Sequence, residues 1–325
     1  MSRLSYDDRL SLPVVAAPMF LISGPKLVIE ACKNGILGSF PALNPRTSEG
    51  FDEWLCEIEE SLEGATQASG KPAAPYGVNL IVHRSNPRLE ADLEVVVKHR
   101  VPIVITSLGA VSELVDAVHG YGGLVYHDIT NRRHGEKAAG AGVDGLILVA
   151  AGAGGHAGVL HPMPFIAEIR SFFDGTILLS GCMSTGRDVA AALQMGADLA
   201  YLGTRFINTS ESKADDAYRQ MIIDSGTSDI VYTAAVSGVP ANFLRSSLEA
   251  MGITKEMWSQ AAKIDFGKEL VDEREAKAWK TIWSAGQGVA TIRDTVTVQE
   301  LVARLKEELH VAVEEQAGLL EGYPI

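Results

Sequence analysis

The chain has 325 residues, 46% of them hydrophobic, and its 28 lysines and arginines against 41 aspartates and glutamates give a formal net charge of −13. This composition excludes a disordered chain, and the acidic balance argues against a nucleic-acid partner, whose phosphates such a surface would repel. No apolar run reaches membrane-spanning length, and the polar start MSRLSYDDRL lacks the apolar core of a signal peptide. The three cysteines share no metal or redox spacing, so we expect a cytoplasmic protein with no membrane partner.

Short apolar or β-branched runs recur along the first two thirds of the chain and predict eight strands. Segments with helical periodicity, such as Pro25–Lys33 and Arg187–Gln194, separate them. Because the runs lack polar alternation, they indicate strands buried on both faces, as in a parallel sheet covered by helices. Eight such units predict an α/β protein with a TIM barrel. The predicted strands are Pro13–Ala17, Gly35–Phe40, Tyr76–Val82, Pro102–Ser107, Gly123–His127, Asp144–Ala150, Thr176–Ser180 and Asp198–Thr204.

The pattern changes after the eighth predicted strand. Residues from about 210 to 285 combine mixed charge, scattered aromatic residues and helical stretches, without clear strand alternation. A periodic helix then returns at Thr297–Leu320. We therefore predict a barrel built from residues 1–210 and 286–325, with residues 211–285 as a smaller helical insertion domain after strand 8. Such an insertion leaves the C-terminal face of the barrel, where it would cap a substrate pocket.

The sixth predicted strand opens into AAGAGGHAG, residues 150–158, a loop with four glycines and one histidine. Glycines reach positive φ and let a flat ligand lie against the backbone. Because a glycine loop gives a histidine few neighbours, we expect the pKa of His156 to stay near its ordinary value. His156 could then act either as a base or as a protonated cation near pH 7. The loop predicts a cofactor platform, with Gly154 and Gly155 as binding residues and His156 as the catalytic residue.

Polar groups and glycines stand at the ends of other predicted strands, which meet at one face of a TIM barrel. Pro18 and Met19 form a bend after the first strand whose backbone amides could meet a ring edge. Asn79 on the third strand offers a donor and an acceptor. Glycine-flanked turns after the seventh and eighth strands match the usual phosphate site of this fold and predict a phosphate-bearing cofactor. The residues predicted at that site are Ser180, Gly181, Cys182, Gly203 and Thr204.

Six motifs in chain order, APMF, GVN, AGGHAG, SGCMSTG, GADLAYLGTRF and IWSAGQG, resemble the nitronate monooxygenase family. This group, also called 2-nitropropane dioxygenase-like, includes flavin-dependent enoyl-ACP reductases and NADH:quinone reductases. The resemblance spans nearly the whole chain and implies a barrel that binds FMN non-covalently. It implies that Pro18, Met19 and Asn79 meet the isoalloxazine ring and that His156 is catalytic. The residues implied to hold the ribityl chain and phosphate are Gly155, Ser180, Gly181, Cys182, Gly203 and Thr204.

Two departures from the family pattern bear on the substrate. Several relatives have lysine after the strand-5 histidine, whereas this chain has Asp128 after His127. We count both residues as cofactor-binding, and expect the carboxylate to orient His127 or a water, since it cannot neutralise phosphate or reduced flavin. Many nitronate-oxidising members read CAGHPG at strand 6, where this chain reads GAGGHAG. The fold and FMN inferences are unaffected, and the substrate inference is weakened.

The resemblance implies that the protein oxidises alkyl nitronates, and by extension nitroalkanes, with dioxygen to a carbonyl compound and nitrite. One alternative uses the same site for NAD(P)H-dependent reduction of an enoyl- or acyl-CoA or a quinone. Another is a non-catalytic flavin-binding barrel. The histidines have no metal-binding spacing, so no metal is predicted. The expected partners are a small-molecule substrate and dioxygen, and NAD(P)H if the protein is a reductase. The sequence leaves open whether the protein forms a homo-oligomer.

Overall fold

The structure is a computed structural model that describes residues 6–83, 85–109, 112–236, 238–259 and 282–323. Its strands are β1 (Val14–Ala16), β2 (Leu37–Pro41), β3 (Tyr76–Ile81), β4 (Ile103–Ser107), β5 (Leu124–Ile129), β6 (Gly145–Val149), β7 (Gly155–His156), β8 (Thr176–Ser180), β9 (Leu199–Leu202), β10 (Ile230–Thr233) and β11 (Ala241–Leu244). Eight of them form a closed parallel barrel in the order β1-β2-β3-β4-β5-β6-β8-β9, and β9 pairs with β1. The predicted TIM barrel is confirmed.

Helices follow most barrel strands. The helices that start at Gly186 and Val298 both begin with a capping box. In each, a threonine and the acidic residue three positions later accept hydrogen bonds from the free backbone amides of the first turn. No helix in the described ranges is long and apolar enough to span a membrane. The helices are α1 (Pro25–Lys33), α2 (Ser48–Ser69), α3 (Leu89–His99), α4 (Ser112–His119), α5 (Arg132–Gly140), α6 (Pro162–Arg170), α7 (Gly186–Gln194), α8 (Thr204–Ile207), α9 (Asp216–Asp224), α10 (Arg245–Ala250), α11 (Lys255–Trp258) and α12 (Val298–Glu321).

Strand alternation divides the core into two layers. Residues such as Val15, Ile105, Tyr126 and Tyr201 pack inside the barrel. Their sequence neighbours point outward and pack against the surrounding helices in a larger cluster. Because successive side chains on a strand point to opposite faces, this division fixes which residues near each strand end reach the barrel mouth.

The segment after β9 contains strands as well as helices. β10, β11 and β7 form a three-stranded antiparallel sheet, in which Ala241 pairs with His156 and Asn242 with Gly155. We predicted a helical insertion, and the structure adds this short sheet to its helices. Each of these strands has four residues or fewer, too short for alternation to be visible, and β7 lies far from its partner in the chain.

This segment lies against the loops at the C-terminal ends of the barrel strands. The Tyr232 hydroxyl donates to the Ala157 carbonyl at 3.1 Å, and Asn242 Nδ2 donates to the Ala153 carbonyl at 2.6 Å. Both contacts agree with an insertion at the C-terminal face. The domain boundaries at residues 210 and 286 stay a prediction, and residues 260–281 of the predicted cap lie outside the described residues.

Candidate active site

The loop after β6 requires glycine at two positions. Gly152 has φ +80° and Gly155 has φ +69°, a left-handed backbone that L side chains rarely adopt. A Cβ on Gly152 would lie 2.3 Å from Cys182 Sγ, so the turn after β8 packs directly on this loop. A Cβ on Gly155 would meet nothing within 4 Å. The protein therefore leaves open space beside Gly155.

Residues far along the chain hold this loop in place. The Gln287 amide donates to the Gly152 carbonyl at 2.8 Å, and Asn242 Nδ2 donates to the Ala153 carbonyl at 2.6 Å. A Cβ on Gly154 would lie 2.9 Å from the Gly286 nitrogen. Gly154, predicted as a cofactor residue, is thus required by close packing against the IWSAGQG segment.

His156 lies on β7, directly after the open position at Gly155. His156 is exposed to solvent at the surface, yet the many protein atoms around its ring reduce its hydration and lower its pKa to about 4. The expectation of an ordinary pKa is wrong, because the insertion supplies neighbours that the glycine loop alone does not. At pH 7 the imidazole is neutral, which is the form that accepts a proton.

A hydrogen-bonded chain of three polar side chains crosses the barrel interior. Asn79 Nδ2 donates to Ser107 Oγ at 2.8 Å, and the Ser107 hydroxyl donates to Asp128 Oδ2 at 2.5 Å. The other oxygen, Asp128 Oδ1, is buried and has no hydrogen-bond partner in the described part of the chain. Burial raises the pKa of Asp128 to about 6, with the Ser107 hydrogen bond opposing the shift. The Tyr201 side chain is also buried here. Burial raises its pKa, and the nearby negative charge of Asp128 makes a smaller contribution in the same direction.

His127 points to the opposite face of β5 from Asp128. Its Nδ1 lies 2.7 Å from Thr106 Oγ1, and the ring is buried. Burial, with smaller contributions from the charges of His134 and Lys137 on α5, lowers its pKa to about 4. The structure therefore places His127 in the helix layer, away from the barrel mouth, because neighbouring residues on a strand cannot both face inward. Asp128 does not orient His127 either, since its partner is Ser107.

The turn after β8 has consecutive left-handed residues. Gly181 has φ +126° and Cys182 has φ +62°. Cys182 Sγ donates to the Ala151 carbonyl at 3.3 Å, and burial raises its pKa, so the thiol stays protonated at neutral pH. Ser180 is half-buried at the start of this turn. The Ser184 hydroxyl just beyond it is buried without a hydrogen-bond partner among the described residues.

The ends of β9 and β1 approach each other beside this turn. A Cβ on Gly203 would have its nearest neighbours at 3.8 Å and beyond, in Ala17 and Met19, so a small side chain would fit here without a clash. The Thr204 hydroxyl accepts from the Gly286 amide, which leaves its O–H as a donor for a ligand. The Met19 amide donates to Ser23 Oγ at 3.0 Å. Since proline has no N–H, the Pro18–Met19 bend offers no amide to a ring edge and would contact a ligand through its side chains.

The structure brings most of the predicted site residues to one face and adds several that were missed. Ser107 was missed although period-two counting from Ile105 places it inside the barrel. Asn242 and Gln287 were missed because their partners lie far away in sequence. No local signal marks these two residues.

Comparison with known proteins agrees with this architecture. A family model described as nitronate monooxygenase matches residues 43–308. The chain is 26% identical over 355 residues to a nitronate monooxygenase from Paraburkholderia phytofirmans, covering 93% of each protein. It is 25% identical to a (3aS,4S,5R,7aS)-5-hydroxy-7a-methyl-1-oxo-octahydro-1H-indene-4-carboxyl-CoA dehydrogenase from Rhodococcus jostii, covering 95% of this chain and 83% of that protein.

A solved structure gives the same result for the fold. Nitroalkane oxidase from Streptomyces ansochromogenes matches with a TM-score of 0.79 at 25% identity, covering 95% of this chain and 99% of that one. The family model, moreover, matches well over half of the chain. The chain therefore belongs to the nitronate monooxygenase family and is an oxidoreductase.

Proposed function

We propose that this protein is an FMN-dependent enzyme that oxidises alkyl nitronates with dioxygen to a carbonyl compound and nitrite. The observation that carries the proposal is the position of His156, neutral at pH 7, on β7 next to the open position at Gly155. Family membership supplies the reaction class. The same site would act on neutral nitroalkanes where the histidine removes the α-proton.

The residues at the barrel mouth fit FMN. Asn79 uses its amide N–H groups within the protein, towards the Ile105 carbonyl and Ser107, which leaves its carbonyl oxygen as an acceptor. Asp128 Oδ1 is a buried oxygen that lacks a partner. These groups suit the polar edge of an isoalloxazine ring. The turn at Gly203, where no side chain covers the backbone, and the unpartnered Ser184 hydroxyl suit a ribityl phosphate.

The chain also favours FMN over a dinucleotide. The chain has GAGVDG at residues 140–145, between a helix and a strand, and GAGGHA at residues 152–157, which leads from β6 into β7. Neither run joins a strand to a helix, as the fingerprint of a dinucleotide site does. When bound, FMN would supply the electron chemistry, taking electrons from the substrate and passing them to dioxygen. The protein supplies binding, orientation and proton transfer.

His156 would handle the proton. A neutral imidazole ring nitrogen can accept the α-proton of a nitroalkane, and this generates the nitronate anion within the site. A nitronate that enters preformed needs no base. Asp128, protonated below its pKa of about 6, would present Oδ1 as a donor towards negative charge, because Oδ2 already accepts from Ser107.

A second candidate function is NAD(P)H-dependent reduction of an acyl-CoA or a quinone. It is favoured by the relative from Rhodococcus jostii, which is named a carboxyl-CoA dehydrogenase and aligns with 95% of this chain. The two candidates differ in the source of electrons.

The test is a turnover assay on the purified yellow protein after its flavin has been identified. We expect denaturation to release FMN, and an alkyl nitronate to cause oxygen uptake with matching formation of nitrite. Release of FAD would contradict the single-phosphate site. Absence of nitrite, together with rapid NADH oxidation in the presence of a quinone or an acyl-CoA, would select the reductase.

A further inference from the structure

A cluster of potential metal ligands lies away from the candidate active site. It is formed by α2 and the end of α3, near the N-terminal ends of β3 and β4. Asp52 and Cys56 are four residues apart on α2 and so share one face of that helix. His99, the last residue of α3, lies opposite them. One ligand atom from each of these residues lies within 4.8 Å of the other two.

These separations are close to those of a bound zinc ion. Tetrahedral zinc bonds of about 2.0–2.3 Å place neighbouring ligand atoms about 3.4–3.6 Å apart. His99 Nε2 and Asp52 Oδ1 are 2.8 Å apart, so they would separate slightly, while Cys56 would move closer. Cys56 is exposed at the surface, so its side chain can make this adjustment by rotation.

The other ring nitrogen of His99 is fixed in the way that metal-binding histidines require. His99 Nδ1 lies 2.9 Å from Glu59 Oε2, and the Tyr76 hydroxyl donates to Glu59 Oε1 at 2.7 Å. A carboxylate that accepts from Nδ1 turns the Nε2 lone pair towards the metal and makes it more basic. Here Nε2 faces Asp52 and Cys56, and a bound metal would replace the proton that it shares with Asp52 Oδ1. The ring itself is largely buried, with 7% of its side chain exposed.

Lys98 balances the charge of Asp52 in the metal-free state. Its Nζ lies 2.5 Å from Asp52 Oδ1, and 63% of the lysine side chain is exposed. The ammonium group therefore competes with a cation for this oxygen, but it can swing into solvent at little cost. This competition gives the site a property that a simple ion-pair network lacks: removal of Lys98 should strengthen cation binding.

We propose that Asp52, Cys56 and His99 bind a divalent transition metal of the zinc type, which joins α2 to α3, with Glu59 as the residue that orients His99. The ligand set of one thiolate, one imidazole and one carboxylate suits zinc or cobalt over magnesium or calcium. Three protein ligands leave a fourth position for water. The spacing was invisible in the sequence because the ligands come from two helices.

The test is titration of the reduced, flavin-loaded protein with Co²⁺ alone, followed by absorbance, and then competition with Zn²⁺. We expect one equivalent to produce a thiolate-to-cobalt charge-transfer band that Zn²⁺ abolishes. C56S should lose the band, whereas C182S, which removes the other exposed cysteine, should keep it. The test does not depend on the proposed nitronate chemistry.

Two further variants separate a metal site from an ion-pair network. E59Q should weaken Co²⁺ binding about 10–100-fold, the usual cost of losing a carboxylate that orients a ligand histidine. K98M should tighten Co²⁺ binding several-fold, while K71M, on another exposed lysine, should leave it unchanged. Absence of the band in the parent protein, its retention in C56S, or weaker binding by K98M would each overturn the proposal.

Discussion

The chemistry of the candidate site depends on two residues whose environments shift their pKa values in opposite directions. Reduced hydration lowers the pKa of His156 to about 4, and burial raises that of Asp128 to about 6. At neutral pH the His156 imidazole is therefore uncharged and able to accept a proton. Asp128 is mostly ionised in the absence of a ligand, and negative charge placed near it would favour its protonated form.

The first prediction concerns H156N. Asparagine cannot accept the α-proton, so oxidation of a neutral nitroalkane should fall about 10²–10⁴-fold, the usual contribution of a positioned base. Oxidation of the preformed nitronate should fall much less, because its proton has already left. Steady-state oxygen uptake with each substrate measures the contrast, and H310N, on an exposed histidine of α12, is the matched control. Equal losses on both substrates would indicate general damage and exclude the base role.

The second prediction concerns the stability of flavin-free D128N. The folded state binds the Asp128 proton more tightly than the unfolded state does, so the free energy of unfolding should fall as pH rises from about 4 to about 6. The full effect of this shift is about 3 kcal/mol. D128N should therefore be more stable than the parent at about pH 8, and this gain should shrink at about pH 4. Urea denaturation at both pH values checks it, with the exposed D174N as control, and a gain independent of pH would contradict it.

At the scale of secondary structure, glycine positions determine how closely the loops approach one another and the ligand. Gly152, Gly154 and Gly286 are required by packing between protein segments, because a Cβ on any of them would lie under 3.0 Å from a protein atom. Gly203 is different. Its φ of −101° suits any residue, and a Cβ there would meet only ordinary contacts. It is therefore the position that best reports on the ligand itself.

The third prediction follows from that difference. G203V should fold normally, but its side chain should intrude on the flavin. Overpacking of about 1–3 kcal/mol corresponds to FMN binding about 5- to 150-fold weaker. Fluorescence titration of FMN into the flavin-free protein measures this change, and thermal unfolding checks the fold. G64A, at a helical glycine with no neighbour within 4 Å, should bind FMN like the parent. Unchanged affinity in G203V would remove this turn from the cofactor site.

The element scale also shows what could be predicted from the sequence. The barrel strands were recognisable because buried parallel strands are continuous apolar runs, and Gly145–Val149 is a clear case. β7, β10 and β11 were not recognisable, because strands of two to four residues are too short to show an alternation of apolar and polar side chains. His127 was misplaced because the predicted fifth strand ended there. The observed strand continues to Ile129, and alternation then assigns the inward position to Asp128.

At the scale of the whole molecule, the two proposed sites lie towards opposite ends of the barrel. The C-terminal ends of the strands carry the open space at Gly155, the turn at Gly203, the imidazole of His156 and the interior carboxyl of Asp128. The insertion contributes β10 and β11 and holds the loop after β6, so the site needs both parts of the chain. The ligand cluster on α2 and α3 lies towards the other end, where a bound metal would not contact the reacting groups.

The most direct test of the central claim is to mix the FMN-loaded protein with an alkyl nitronate and, separately, with NADH, in the absence of oxygen. We predict that the nitronate changes the visible flavin spectrum within the time of a turnover and that NADH changes it far more slowly. Readmission of oxygen should restore the oxidised spectrum, with nitrite in solution. A flavin that NADH bleaches rapidly and the nitronate leaves unchanged would contradict the claim and identify the protein as a nicotinamide-dependent reductase.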